Sequence, residues 1–318
     1  MDSPIPLRVE RIHQEALDVK VFDLVHAEGR PLPAAEAGAH IEVQLPGSLQ
    51  RSYSLCQAPG DTGRYRIAVH RHPDSRGGSR HLHEGVVAGD VLLASPPRNH
   101  FPLHEQAGHS CLIAGGIGIT PLLSMIHRLE ALGRSWELHY AARTRDHAAF
   151  VEELQALAQV HGRTCRFHFH REPGSTRLDI AALVASLPAH THLYCCGPAT
   201  MLEGFEAATS HCPERSHREY FGGGGEAATT GGFTIELARS GLTLAVPPGA
   251  SILDVVLGAG IAVPTSCREG ICGSCETRIL SGQADHRDKL LSTEEQQHNQ
   301  SMMICCSGAR TDRLVLDL

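Results

Sequence analysis

The stretch SCREGICGSC places four and then two residues between Cys267, Cys272 and Cys275, with Gly270 and Gly273 among them. A further cysteine, Cys305, stands far along the chain and is followed at once by Cys306. No other pattern limits the fold as strongly, because so few structures need three thiols on one short loop and a distant fourth. A disulfide framework does not suit it. The chain has 318 residues and an odd eleven cysteines, and such frameworks belong to small secreted chains with paired thiols. The start, MDSPIPLRVERIHQEALD, is polar and has no apolar core of a secretory leader. Reduced thiols in the cytoplasm are therefore expected.

Structural zinc commonly takes two short-spaced half-sites, and only one Cys-x2-Cys pair is present here. C-x4-C-x2-C with a remote fourth cysteine is instead the plant-type spacing for a 2Fe–2S cluster. Each iron takes two thiolates, and the bridging sulfides carry negative charge. A short loop can aim backbone N–H groups at those sulfurs, and Gly270 and Gly273 permit the close approach. Spacing alone leaves both Cys305 and Cys306 open as the fourth ligand. Such a centre passes single electrons, so the remainder of the chain should hold their source.

The text changes character twice before the cysteines. Residues 1–104 read as short alternating segments broken by Gly and Pro (IEVQLPG, RSYSL, YRIAVHRH, DVLLASPP), with Val43 and Leu45 on one face and Glu42 and Gln44 on the other. This predicts an antiparallel β-sheet or barrel. Residues 105–225 alternate strand and helix: SCLIAG, TPLLSMIHRLEALG, WELHYAA, AAFVEELQALAQV, CRFHFH, LDIAALVASL, HLYCCG, ATMLEGFEAATS and REYF. This predicts a parallel α/β sheet covered by helices. Within it Thr120 reads as an N-cap, Pro121 as first-turn proline and Gly133 as the stop. Residues 226–232 end a glycine-rich stretch and read as a linker. Residues 233–318 open with a predicted hairpin, FTIELARSGLTLAVPPG, and a short helix, SILDVVLGAG, whose Ser251 and Asp254 have capping-box spacing.

AGGIGITP ends an apolar strand and opens a helix, a place where backbone can approach a pyrophosphate. It departs from the G-x-G-x-x-G pattern, since Gly116 and Gly118 leave Pro121 at the third position, and no acid closes the next strand. CCGPATM closes a later strand at the same expected sheet edge, where open parallel sheets bind ligands. In the first segment Arg76, Gly77, Gly78 and Ser79 offer a guanidinium, backbone amides and a hydroxyl to a phosphate, although the same residues also suit an exposed turn. Formal charge is −7 with no basic tract, which argues against nucleic acid. No apolar run is long enough to span a membrane. The 22 histidines are dispersed. The pairs His70/His72 and His81/His83 would share a face on a strand, and both read as polar surface.

Taken in order, RSYSL, RGGS, GGIGITP, CCGP and SCREGICGSCETRILSGQADHRD resemble the phthalate dioxygenase reductase family, with vanillate demethylase reductase as a near relative. The resemblance covers essentially the whole chain. It implies a multi-domain protein: an antiparallel six-stranded β-barrel holding FMN, an α/β parallel-sheet domain for NADH, and a C-terminal α+β ferredoxin-like (β-grasp) domain. It implies that Arg51, Tyr53 and Ser54 contact the flavin, with the Ser54 hydroxyl near N5. Ala68, Val69 and His70 run along the ring, Arg76, Gly77, Gly78 and Ser79 hold the phosphate, and Phe221 stacks on the flavin. Gly115, Gly116, Gly118, Thr120 and Pro121 lie at the pyrophosphate, and Cys196, Gly197 and Pro198 face the nicotinamide. Arg143 and Arg145 near the ribose would welcome a 2′-phosphate, which leaves NADPH open beside NADH, while Asp146 opposes it. Cys267, Cys272, Cys275 and Cys305 are the implied cluster ligands. The implied activity is electron transfer from NADH through FMN and the cluster to a Rieske-type terminal oxygenase. An iron–sulfur redox sensor without NADH oxidation is the alternative. A monomer is expected.

Overall fold

Leu7 and Val9, two positions apart, are both fully buried. That period of two makes the amino-terminal residues strands. The computed structural model describes residues 3–47, 49–73, 75, 77–222 and 227–318. Its first sheet contains β1 (Ile5–Ala16), β2 (Val19–His26), β3 (His40–Leu45), β4 (Leu49–Ser54), β5 (Tyr65–His70) and, after helix α1 (Gly78–Glu84), β6 (Val91–Ala94). The order is β4-β3-β6-β1-β2-β5, and every pairing is antiparallel. A bridge between Leu55 and Ile67 brings the two edges together and closes the barrel. Val43 and Leu45 face its core as expected, but Glu42 is also buried. Its carboxylate accepts a hydrogen bond from Arg98 at 3.1 Å, and this partner makes the burial tolerable.

The second sheet is wholly parallel: β7 (His109–Gly115), β8 (Ser135–Ala142), β9 (Thr164–Phe169), β10 (His192–Gly197) and β11 (Ser216–Tyr220). Four helices alternate with them: α2 (Ile119–Ala131), α3 (Val151–Val160), α4 (Ile180–Ser186) and α5 (Ala199–Thr209). The order β11-β10-β7-β8-β9 reverses direction between β7 and β10, so a topological switch point lies at their carboxyl ends. Gly133 does follow the end of α2, at φ +64°. Thr120 is not its N-cap. A 3-10 turn, Gly116–Gly118, feeds straight into the helix, Gly118 takes the cap position, and the Thr120 hydroxyl donates to the Ile117 carbonyl at 3.0 Å. Likewise α3 begins only at Val151, because Phe150 before it has φ +62°. His81 and His83 sit on α1, not on a strand.

These two sheets belong to one unit, Met1–Phe221. Ala16, Val19, Val21, Cys56 and Ala68 of the barrel share a continuous apolar core with Ile119, Leu122, Leu138 and Tyr140 of the parallel sheet and its helix. Polar contacts fasten them further: the Gly38 N–H donates to Ser124 Oγ at 3.0 Å and the Phe150 N–H to Glu15 Oε1 at 2.9 Å.

The second unit is Gly222–Leu318. It contains β12 (Phe233–Leu237), β13 (Leu242–Val246), α6 (Ile252–Gly258), β14 (Glu276–Ser281), β15 (Ala284–Asp285), α7 (Thr293–His298), β16 (Ser301–Met303), β17 (Gly308–Ala309) and β18 (Arg313–Leu316). Five of the strands form a mixed sheet ordered β13-β12-β18-β14-β16. Ser251 and Asp254 do form the capping box of α6. Of the expected linker, Glu226 lies outside the described residues. Ala228 is buried, and its N–H donates to the Cys306 carbonyl at 2.7 Å.

Candidate cofactor sites

The loop between α6 and β14 carries three of the clustered cysteines, and the turn after β16 carries the fourth. Arg268, Gly270 and Gly273 all have positive φ (59°, 69° and 74°). This coils the backbone so that its N–H groups point inward. The Glu269 N–H donates to Cys267 Sγ at 3.2 Å and the Cys267 N–H to Cys272 Sγ at 3.5 Å. The Gly270 amide is aimed at Cys305 Sγ and the Cys305 amide at Cys275 Sγ. Among the thiols, Cys272 is drawn down to about 6, first by the hydrogen bond from Cys267. Cys305 is held far below the ordinary thiol range by hydrogen bonds from Cys267, Cys275 and Cys306. Cys267 and Cys275, the donors, are pushed up. The four sulfurs thus converge with backbone amides aimed at them, the arrangement by which a loop stabilises iron-bound thiolates and sulfides.

Cys306 sits differently. Its Sγ turns to the Met303 carbonyl at 3.7 Å and to Ser307 Oγ at 3.9 Å. It also backs the loop: a Cβ added at Gly270 would lie 2.4 Å from that sulfur. Behind the loop Asp288 is buried and accepts from the Leu291 N–H at 2.8 Å.

At the switch point the ends of β7 and β10 interlock through glycines. A Cβ on Gly115 would lie 2.6 Å from Pro198 Cδ and 3.1 Å from Gly197 Cα. One on Gly118 would lie 2.1 Å from the Cys196 carbonyl oxygen. Gly116, at φ +55°, has open space above it, so the crevice has bare backbone on its floor. That suits a pyrophosphate. Pro121 and Thr120 are buried in the first turn of α2. Cys196 is fully buried within the apolar core, and burial raises its thiol well above the usual range. Burial of this kind disfavours the thiolate. Arg143 is exposed at the end of β8. Arg145 is engaged with Glu152 at 2.7 Å.

In the barrel, Arg51, Tyr53 and Ser54 lie on β4, and Ala68, Val69 and His70 on β5. Burial pushes the Tyr53 hydroxyl up in pKa, with Arg51 acting the other way. The absent side chain of Gly78 makes room for Arg51, since a Cβ there would lie 2.8 Å from Arg51 Cγ. Gly77, at φ +101°, turns the chain into α1. Ser79 Oγ lies 3.0 Å from Ser75 Oγ. Arg76 lies outside the described residues. His83 Nε2 lies 2.8 Å from the Val69 carbonyl and ties α1 to β5. The Gly116–Gly118 turn lies against β5, so the nucleotide crevice opens beside this barrel wall. Phe221 is 41% exposed at the end of the unit.

One group of note was invisible to sequence reasoning. Glu219, opposite Cys196 in the β10–β11 pairing, is half-buried, and its Oε2 is withdrawn from solvent with no hydrogen-bond partner. Desolvation raises its carboxyl to about 8. In REYF it reads as an ordinary charged strand residue, and only the covering structure reveals its burial.

Residues 235–310 match the family of 2Fe-2S iron-sulfur cluster binding domains, and residues 112–207 match the oxidoreductase NAD-binding domain family. The phenoxybenzoate dioxygenase subunit beta of Ectopseudomonas oleovorans is 48% identical over 99% of this chain and 98% of its own length. The phthalate dioxygenase reductase of Burkholderia cepacia is 39% identical over 100% of this chain and 98% of its own. A solved structure of phthalate dioxygenase reductase, described as modular for electron transfer from pyridine nucleotides to [2Fe-2S], covers 99% of this chain and 98% of its own at 37% identity, with a TM-score of 0.73. A self-sufficient cytochrome P450 monooxygenase contains the same fold within a longer chain: 38% identity, TM-score 0.88, 99% of this chain but 41% of that one. No helix among the described residues is long and apolar enough to cross a membrane.

Proposed function

The chain belongs to the phthalate dioxygenase reductase family, and from that membership we propose that it is the reductase component of a two-component Rieske-type oxygenase system. When bound, FMN and a 2Fe–2S cluster would supply hydride acceptance from NADH and single-electron transfer to the terminal oxygenase; that chemistry belongs to the cofactors. The chain binds, orients and shields them. Cys267, Cys272, Cys275 and Cys305 hold the iron, and the amides of Glu269 and Gly270 stabilise the charged sulfurs. Arg51, with Gly77, Gly78, Ser79 and Arg76, holds the flavin phosphate. Tyr53, Ser54 and the strand from Ala68 to His70 line the ring, and Phe221 covers it. Gly115, Gly116, Gly118, Thr120 and Pro121 receive the pyrophosphate. Gly197 and Pro198 pack the nicotinamide and keep water out, with Cys196 behind them in the core holding the strand end in place. NADH is the preferred donor, and Arg143 is the one guanidinium placed to test NADPH. The working site is cytoplasmic and the chain a monomer.

The observation that carries this reading is the convergence of four sulfurs, three from one loop and the fourth from the turn after β16, with backbone amides turned inward on them. Cytochrome c reduction by the purified protein tests it. Rapid NADH-dependent reduction that disappears in Cys267→Ser, with flavin bleaching by NADH retained, is expected. Reduction that survives the loss of the cluster would assign the activity to the flavin alone, and no NADH oxidation at all would leave a redox sensor.

A further inference from the structure

Alternation along the parallel sheet puts two kinds of side chain on its two faces. One face, with Leu112, Leu138 and Tyr140, is apolar and covered by α2. The other carries Cys111, Glu137, His139 and His168, none of which the proposed electron path uses. Cys111 stands directly opposite Glu137 in the β7–β8 pairing, and His139 is two residues further on the same face. One ligand atom from each of Cys111, Glu137 and His139 lies within 4.8 Å of the others.

The imidazole supplies an independent sign. His139 is 3% exposed, yet its Nε2 has no hydrogen-bond partner. The nearest carboxylate oxygen, Glu137 Oε2, is 3.6 Å away, too far for a hydrogen bond. The other nitrogen, Nδ1, lies 3.4 Å from His168 Nε2, with the two rings stacked. In the tautomer whose Nδ1 proton is directed at His168, Nε2 offers its lone pair on the side of Glu137 and Cys111. This is the arrangement by which an outer partner fixes the tautomer of a metal-binding histidine. Glu137 is steadied in turn by His109, whose Nε2 lies 3.4 Å from Oε1 and whose Nδ1 lies 2.9 Å from Ser135 Oγ.

We propose that Cys111, Glu137 and His139 bind a zinc ion, with the fourth position open to water past the partly exposed Glu137. The donor set decides the metal. A thiolate, an imidazole and a carboxylate together suit zinc, whereas magnesium and calcium take oxygen alone. Tetrahedral zinc holds its ligand atoms roughly 3.3–3.8 Å apart. The imidazole and carboxylate already have that spacing, and a side-chain rotation brings in the sulfur. On binding, the Cys111 thiol gives up its proton to solvent and the cation takes its place. The site lies towards the amino ends of β7 and β8, whereas Gly115 and Gly197 close their strands at the carboxyl ends, so it is separate from the nucleotide crevice. The ion would cross-link two neighbouring strands.

The test uses the holoprotein, with flavin and cluster spectra recorded throughout. The protein is equilibrated with one equivalent of Zn2+ in a chelator buffer and desalted, and the metal is counted by mass spectrometry. One zinc per chain is expected in the wild type, with affinity reduced at least tenfold in Cys111→Ser, His139→Gln and Glu137→Gln. Co2+ loading should add a thiolate charge-transfer band to the difference spectrum that Cys111→Ser lacks. Glu137→Gln, being partly exposed, keeps the test open if a buried variant does not fold. Equal zinc uptake by wild type and variants would assign the binding to dispersed histidines and overturn the proposal. So would uptake accompanied by bleaching of the cluster, or no uptake at all.

Discussion

Cys305 and Cys306 are neighbours in the chain, but their sulfurs meet different partners. Cys305 Sγ receives the Gly270 amide and the thiols of Cys267, Cys275 and Cys306, while Cys306 Sγ, besides donating to Cys305, faces a carbonyl and a serine hydroxyl and receives no thiol from the loop. Cys305→Ser should therefore abolish the visible absorption of the cluster, and Cys306→Ser should keep it. The reverse pattern would exchange their roles. Glu219 yields a prediction about pH. Its folded carboxyl titrates near 8 instead of 4.5 because burial disfavours the charge. The folded chain thus holds a proton that the unfolded chain releases, so this residue's contribution to stability is complete below about pH 4.5 and lost as pH rises through 8. Glu219→Gln should be more stable than the wild type at pH 8 by about 1–3 kcal/mol and equal to it near pH 5, as read by thermal melts across that range. His40 and His217 act with opposite sign. Burial lowers both to about 4, so their contribution is lost as pH falls from 6.5 towards 4.

At the scale of elements, two close approaches depend on the lack of a side chain. The turn before α2 touches the end of β10 at Gly118, with no room for a methyl group between them. Gly118→Ala should push the two strand ends apart and raise KM for NADH at least tenfold, while bound flavin stays unchanged. A rise in flavin loss with normal KM would place the strain elsewhere. In the cluster loop, Gly270 combines φ +69° with the sulfur of Cys306 and the backbone of Asp288. Gly270→Ala meets both a strained backbone and a clash, and should yield protein with little iron by metal analysis.

At the scale of the whole molecule, the chain has separate apolar cores. The barrel and the parallel sheet join in one unit through residues such as Ala68 and Ile119, whereas Ile235, Val256, Met302 and Leu314 build a core confined to the second unit. The cluster thiols belong entirely to the latter. A metal centre that binds only the folded state stabilises the unit that holds it. Calorimetry of Cys305→Ser should therefore show the Gly222–Leu318 transition lowered by about 10 °C or more, with the Met1–Phe221 transition unmoved. Equal shifts in both would show that the units melt as one.

What the chain states locally was readable without coordinates: the period-two strands of the barrel, the alternation of strand and helix after it, the capping box of Ser251 and Asp254, and the ferredoxin spacing of the cysteines. Each depends on residues a few positions apart, whose geometry the backbone itself dictates. The rest depended on residues distant in sequence and brought together by packing. Thr120 lost its place as N-cap to a 3-10 turn, Glu219 had a carboxylate oxygen withdrawn from solvent without a partner, and Cys305 rather than Cys306 took the Gly270 amide. Cys111, Glu137 and His139 became neighbours only when β7 paired with β8. Periodicity gives the face of a strand, but only tertiary packing decides what meets that face, because burial and contact are properties of the assembled fold.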